Sequence, residues 1–212
     1  MVQQAKAIPF GRLDDGADVL ETAYLLMGFL CAREYFNAEN ETEKYLRLRI
    51  TQLWETANFK WHTAGGNEKL YWHWSPNNDF DMNFPIKGWN EGLITYIMAA
   101  ASPYHSIEPS VYFNGFVNST NYKNDKIYYG IKLPLGFEYG GPLFISQYTF
   151  LGIDPRTAYA DWHTNYLEQN TNHTLINRQW CIENPKHYKG YGENCWGLTA
   201  GDSYKGICSA LS

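Results

Sequence analysis

The sequence predicts an all-α, layered helical architecture, and three segments carry that prediction. The segment from Asp14 to Phe36 is apolar nearly all round at helical spacing, Glu41 to Ala57 carries a single apolar stripe, and the stretch from near Trp89 through Ala100 is again apolar almost throughout. A helix apolar on all sides is buried on most of them, whereas a one-striped helix keeps a face in water. Alternation of the two types is the pattern of inner and outer helices. A length of 212 residues suits one domain, taken as residues 1–212, and neither an internal repeat nor a linker-like stretch divides the chain.

In the first segment Asp14, Asp15 and Asp18 supply capping groups and charge suited to a helix start. Leu20, Tyr24, Met27 and Cys31 recur at helical spacing, and Ala23, Leu26 and Leu30 widen the stripe. In the second, Leu46, Ile50, Leu53, Trp54 and Ala57 form the stripe, and Asn40 with Glu43 three residues on makes a capping box. From Asn58 to Gly88 regularity stops at Gly65-Gly66, Pro76 and Pro85, around the aromatic cluster Tyr71-Trp72-His73-Trp74. Loops of this length are usually functional. The third helix runs from near Trp89 to a stop before Pro103, and residues 104–140, rich in Gly, Asn and Tyr, read as irregular. Asp154-Pro155 is a helix start with Ala158, Trp162 and Tyr166 facing inward, and a further helix spans about Thr171 to Ile182, ending at Asn184-Pro185. A glycine–aromatic loop, Tyr188 to Leu198, closes the pattern.

Composition narrows the function classes. Hydrophobic residues make up 44% and charged residues 18%, which permits a buried core and excludes a disordered chain. The net charge of −5 and the lack of any Lys/Arg cluster argue against nucleic acid or an anionic membrane as partner. No apolar run is long enough to span a membrane, and the opening MVQQAKAIPF lacks the apolar core of a secretory leader. Aromatic residues reach 17%, and Trp and Tyr suit both ordinary cores and the half-apolar faces of sugars. Cys31, Cys181, Cys195 and Cys208 show no metal-ligand spacing and read as buried free thiols, although an even count permits two disulfides. Three glycosylation tripeptides, at Asn40, Asn118 and Asn172, matter only in a glycosylating host.

Two carboxylates stand out chemically. Glu91 falls at the start of an apolar helix beside Trp89, where the helix end favours its anion and burial favours its protonated form. Such opposed pulls suit a general acid, although a first-turn glutamate also serves as a simple helix-start charge. Glu21 lies near the start of an inner helix, where a charge needs a reason. Glu193 and Asp202 flank the glycine–aromatic loop. Hydrolases acting on glycosides need two carboxylates across the scissile bond. The six His do not pair at metal-ligand spacing, so neither a metal nor a cofactor is expected.

The segments Gly88-Trp89-Asn90-Glu91, Ala101-Ser102-Pro103-Tyr104-His105, Pro142-Leu143-Phe144 with Gln147-Tyr148, and Tyr188 through Ala200 resemble the bacterial glucoamylase-like (glycoamylase) domain family. That family includes β-1,2-glucanases and is similar to part of the cyclic β-1,2-glucan synthases. The resemblance covers roughly residues 14 to 202 in order. It implies an α/α toroid of six helical hairpins and hydrolysis of a glucosidic bond with inversion, by a glutamate acid and an aspartate base. Glu91 matches the acid. Glu21 matches a cleft position that is usually aspartate, and its extra methylene leaves the role of that carboxylate open. Trp74, Trp89, Asn90, Gln147, Tyr191, Glu193 and Trp196 match motifs that contact sugar, so a glucan is the implied partner. The resemblance also implies a place in the periplasm or at the cell surface, where family members are generally exported.

Six hairpins need on the order of 350–450 residues at ordinary helix lengths plus long loops. The chain therefore suggests a partial toroid, with the family's aspartate base in a continuation beyond Ser212. A partial toroid exposes apolar inner faces unless a second chain covers them. The alternative function is a carbohydrate-binding fragment, inactive for want of the base.

Overall fold

The computed structural model describes residues 15–156, 165–203 and 206–209, the last seven of these as backbone only. The first element of the described residues is a short strand, β1 (Ala17–Asp18), that pairs antiparallel with β2 (His73–Trp74). Asp18 then caps α1 (Val19–Tyr35): one carboxylate oxygen accepts the Glu21 amide at 2.9 Å, and the other accepts the Trp72 indole at 3.0 Å. The aromatic loop thus returns onto the start of the first helix. Of the other expected capping groups, Asp15 instead accepts a bond from the Asn77 amide at 2.8 Å, and Asp14 lies outside the described residues.

Helix α1 buries one stripe, Val19, Leu20, Ala23, Leu26 and Met27, against the core. Its other side is open, with Leu25 56% exposed, so the expectation of burial on most sides is corrected for the described residues. The second helix, α2 (Glu41–Thr56), packs beside α1 and starts with the predicted box. The Asn40 side chain accepts the Glu43 amide at 2.9 Å and donates back to the Glu43 carboxylate at 3.1 Å. Its stripe is narrower than expected: Ile50 is buried and Trp54 packs on the core, but Leu53 is half exposed.

A 3-10 turn at Phe59–Thr63 follows, and then α3 (Leu93–Ala101), the most buried helix, which packs against α1. Tyr96 of α3 ties the irregular loop to it: its hydroxyl donates to the Ile86 carbonyl at 2.8 Å and accepts the Leu70 amide at 3.2 Å. The region read as irregular, 104–140, contains α4 (Pro109–Tyr112), a π-turn at Phe113–Val117 and a hairpin of β3 (Lys123–Tyr128) with β4 (Ile131–Leu135). The hairpin turns on Tyr129-Gly130, both at positive φ as a primed two-residue turn requires.

The apolar run after Pro142 forms α5 (Phe144–Gln147), prolonged by a 3-10 turn over Tyr148–Leu151. The last helix, α6 (Tyr166–Glu183), starts five residues earlier than the predicted Thr171, because Asn165 caps it through the Leu167 and Glu168 amides. Tyr166 therefore opens α6 and does not belong to the helix predicted after Asp154; Ala158 and Trp162 lie outside the described residues. The helix stops at Asn184, in left-handed conformation, as the Asn-Pro pair predicts.

The buried side of α6 is unusual because much of it is polar. Gln169, His173 and Asn177, each four residues from the last, are essentially unexposed and bond backbone groups of different loops. Gln169 brackets Leu135 at its amide and carbonyl, His173 and Asn177 reach the Gly141 carbonyl, and Asn177 accepts the Leu198 amide at 2.9 Å. Buried polar groups are tolerable when bonded in this way. A hairpin of β5 (Ala200–Ser203) with β6 (Gly206–Ser209) follows α6 and the glycine–aromatic loop. The architecture is mostly helical, and the expectation of an all-α fold is corrected by three two-stranded antiparallel sheets among the described residues. These short ladders pair loop backbone that would otherwise leave buried N–H and C=O groups unmatched.

Candidate active site

The turn Gly88–Gly92 carries the leading candidate. Gly88 adopts φ +75, with no room for a β-carbon beside the Thr120 carbonyl, and its amide donates to the Ser119 hydroxyl. Asn90 shapes the turn from within, accepting the Gly92 amide at 2.8 Å and donating to the Lys87 carbonyl at 3.1 Å. Helix α3 begins only at Leu93, so Glu91 precedes the helix instead of sitting in its first turn. The backbone there is gripped from two sides. The Tyr24 hydroxyl donates to the Glu91 carbonyl at 3.0 Å from α1, and the Thr149 hydroxyl does so at 3.3 Å from the segment after α5.

The Glu91 side chain is half-buried. Burial pushes its pKa up, its own backbone N–H pulls the other way, and the Glu21 carboxylate raises it again. Glu21 itself is exposed, one turn before Tyr24 on the same face of α1, so its charge does not need the buried environment expected for it. Tyr24 is held as neutral phenol by burial first and by the charges of Glu91 and Glu21 second. Its ring meets Tyr148 edge-on at 5.9 Å, and Tyr148 is 46% exposed. Two carboxylates, two tyrosines and Thr149 thus converge where α1, the Glu91 turn and the α5 segment meet. A carboxyl that keeps its proton above the ordinary range, with a second acid nearby and an exposed aromatic face, can deliver a proton to a bound oxygen.

The remaining predicted residues divide by environment. Trp89 is 1% exposed, stacks on Tyr166 at 5.4 Å and donates its indole N–H to the Ser146 hydroxyl at 3.1 Å. A ring with its face and its N–H already occupied cannot stack on a sugar, so its expected sugar contact is corrected to a packing role beneath the turn. Asn90 is partly accessible, but both ends of its amide are engaged in the turn. Gln147 is exposed and donates weakly to Thr174 at 3.3 Å. Trp74 is half-buried beside the start of α1, edge-on to the exposed Trp61 at 5.9 Å. Tyr191, Glu193 and Trp196 all lie on the glycine–aromatic loop, where Trp196 is 39% exposed and Glu193 is exposed. That loop joins the Glu91 region indirectly, through the Leu143 amide, which donates to the Leu198 carbonyl at 3.0 Å ahead of α5. The Asp202 side chain lies outside the described residues.

Tyr24, Tyr148 and Thr149 were not among the predicted site residues. Tyr24 could have been found from its spacing three residues after Glu21; Thr149 bonds through its hydroxyl to backbone, which no sequence pattern marks. A cavity of about 450 Å³ lies elsewhere and does not include these carboxylates. It is lined mainly by apolar side chains of α3 and α4 with Ile153 and Tyr166, and lacks the pairing of acids that the chemistry requires. Cys31, Cys181 and Cys195 are free thiols, with only Cys181 buried as expected.

Fold and site together define a mostly helical scaffold in which a half-buried glutamate feels the charge of a second one near an exposed tyrosine, an arrangement suited to acid–base work. The sequence profile described as "Putative glucoamylase" matches residues 83–207, and the chain belongs to this glycoamylase family. The "Exo beta-1,2-glucooligosaccharide sophorohydrolase (non-reducing end)" of Parabacteroides distasonis is 41% identical over 91% of this chain, which spans 29% of that protein. A solved "putative glucoamylase" of Bacteroides uniformis superposes with a TM-score of 0.89 at 50% identity, over 96% of this chain and 50% of its own. The endo-β-1,2-glucanase of Chitinophaga pinensis, solved with sophorotriose and glucose, superposes with a TM-score of 0.88 at 50% identity, over 96% of this chain and 49% of its own. The chain therefore spans about half the length of these solved relatives or less.

Proposed function

We propose that the chain is the acid-bearing part of an inverting glycoside hydrolase acting on β-1,2-glucan, built as part of an α/α toroid. The observation that carries this reading is the half-buried Glu91, whose proton is retained by burial and by Glu21 beside an exposed tyrosine. Glu91 donates its proton to the glycosidic oxygen as the bond to the anomeric carbon breaks, and a water attacks that carbon from the opposite face. The water's proton passes to a carboxylate base. Glu21 is the candidate within these residues, and an aspartate elsewhere in the intact protein is the other. Tyr148 and Gln147 line the near side of the sugar path, with Trp74 at one end and the Tyr191–Glu193–Trp196 cluster as an outer contact. Names of the relatives that act on β-1,2-linked glucans support the linkage. The periplasm or cell surface, where such polymers are met, is the proposed compartment.

The test is incubation of the intact protein with linear β-1,2-glucan and with starch. Reducing sugar from β-1,2-glucan alone supports the reading, and none from either removes it. The second reading is a carbohydrate-binding fragment without turnover, favoured by the exposed Trp196 and Trp61 on a chain spanning half its relatives. Glucan binding unaltered in Glu91→Gln, with no turnover in the parent, would favour it. The exposed Leu25, Leu48 and Leu53 on α1 and α2 support a covering surface, from further hairpins or a second chain. Light scattering tests this: a stable monomer of these 212 residues leaves no covering chain to find.

A further inference from the structure

A chain of buried hydrogen bonds runs from α6 to the acid's turn. The His173 ring is unexposed, with Nε2 at 3.0 Å from the Gly141 carbonyl and Nδ1 at 2.8 Å from the Ser146 hydroxyl. Ser146 Oγ is in turn 3.1 Å from the Trp89 indole nitrogen. Both ends of this chain have a fixed polarity. A carbonyl only accepts, so Nε2 carries the proton; an indole N–H only donates, so Ser146 accepts it. Accepting from the indole leaves the Ser146 proton available to donate to Nδ1, an assignment that makes the imidazole neutral. Burial supports this state by pushing the His173 pKa down to about 4. The groups bonded to the ring, the Ser146 hydroxyl and the Gly141 carbonyl, do not titrate, and no charged group contributes to its shift.

The α5 segment holds the acid's turn at two places. Ser146 takes the Trp89 indole, two residues before Glu91, and Thr149 takes the Glu91 carbonyl itself. His173, from α6, meets the same Ser146 hydroxyl that takes the Trp89 indole. Gly140 closes the ring in from the loop side, since a β-carbon there would lie 2.1 Å from the imidazole. We propose that His173 is a positioning residue that acts through Ser146 and Trp89 to hold the Glu91 turn at the angle from which its carboxyl reaches the leaving oxygen. The inference rests on Glu91 being the general acid. It concerns where the acid points, and His173 touches no substrate.

The experiment compares two substrates in the intact protein: linear β-1,2-glucan, whose leaving sugar needs a proton, and 2,4-dinitrophenyl β-sophoroside, whose leaving phenolate does not. Ser146→Ala cuts the chain with little change of volume, and His173→Phe keeps a ring but removes both bonds. We expect each variant to lose roughly 10–100-fold in kcat on the glucan, the scale of a ~1 Å misplacement, with KM and the aryl substrate changed less than about 3-fold. Equal losses on both substrates would mean a general structural role and overturn the inference, as would full activity of Ser146→Ala on glucan. Glu91→Gln is the control for the underlying reading. If it does not separate the two substrates, the acid assignment fails and the positioning role with it. If it separates them and Ser146→Ala does not, only the positioning role fails. Should His173→Phe not fold, Ser146→Ala and the imidazole nitrogen shifts of the parent, which must report an Nε2–H tautomer at neutral pH, still decide.

Discussion

The Glu91 turn and the glycine–aromatic loop are both conspicuous in the sequence, yet they are built on opposite principles. The turn is buried and over-determined: Gly88, Asn90, Tyr24, Thr149 and the Ser146–Trp89 contact all constrain a five-residue stretch. The loop from Tyr188 to Thr199 is largely exposed, and α6 anchors it through Asn177 to the Leu198 amide and Cys181 to the Gly197 amide. A proton donor has to stay within a fraction of an ångström of its acceptor, whereas a platform for a polymer has to remain open. The contrast teaches that a motif's visibility in sequence says where function gathers, and only the packing says which residues touch ligand. Trp89 and Trp196 make the point, since both lie in recognisable motifs but one is a core residue and the other a surface one.

Breaking the turn chemically should have the largest effect. Glu91→Gln is expected to lower turnover of β-1,2-glucan by ~10²–10⁴-fold, the usual contribution of a positioned acid, while glucan binding measured by calorimetry persists. Next comes the pair of tryptophans. Trp89→Ala should cost about 3–5 kcal/mol in chemical denaturation, and Trp196→Ala less than about 0.5 kcal/mol while weakening glucan binding. Equal stability losses would erase the distinction between turn and loop. Asn177→Ala, which leaves the buried Leu198 amide unmatched, should cost about 1–3 kcal/mol and raise hydrogen exchange in residues 188–199 without altering exchange at the Glu91 turn.

The smallest effect is a titration. The raised pKa of Glu91 means that the proton-donating form is lost, and activity with it, as pH rises through that value. Because the Glu21 charge contributes to the rise, Glu21→Gln should shift the Glu91 carboxyl titration to lower pH by NMR. The same raised pKa has a stability sign. The folded state loses support as pH climbs from the ordinary carboxylate value through the folded one, because the buried group must ionise. Glu91→Gln should therefore raise Tm at neutral pH, and the gain should vanish in acid, where Glu91 is protonated folded or unfolded.

Much of the fold was legible where apolar periodicity coincided with burial. The Asn40–Glu43 box, the apolar third helix and the Asn184 stop are local chemistry, and local chemistry is what sequence patterns record. Helix α6 is longer than its sequence pattern predicts because its buried face includes Gln169, His173 and Asn177, which periodicity takes for solvent-facing residues. The β3–β4 hairpin was missed because Tyr129-Gly130 lacks the Asn-Gly or Asp-Gly signature that primed turns usually advertise. At the site, Glu91 and Glu21 were visible through their awkward surroundings. An aromatic in a motif looks alike whether it faces sugar or core, so sequence places Trp89 at sugar although it lies in the core, and Tyr24 reads only as a helix-packing residue.

Gly140 carries a consequence of its own. With φ at +90 and the His173 ring where a side chain would begin, this position admits no substituent of any kind without moving the imidazole. A methyl group there would act as a wedge, forcing α6 and the segment ahead of α5 apart. Gly140→Ala should therefore mimic the loss of His173 at a distance, and relatives that keep the histidine should keep a bare backbone facing it.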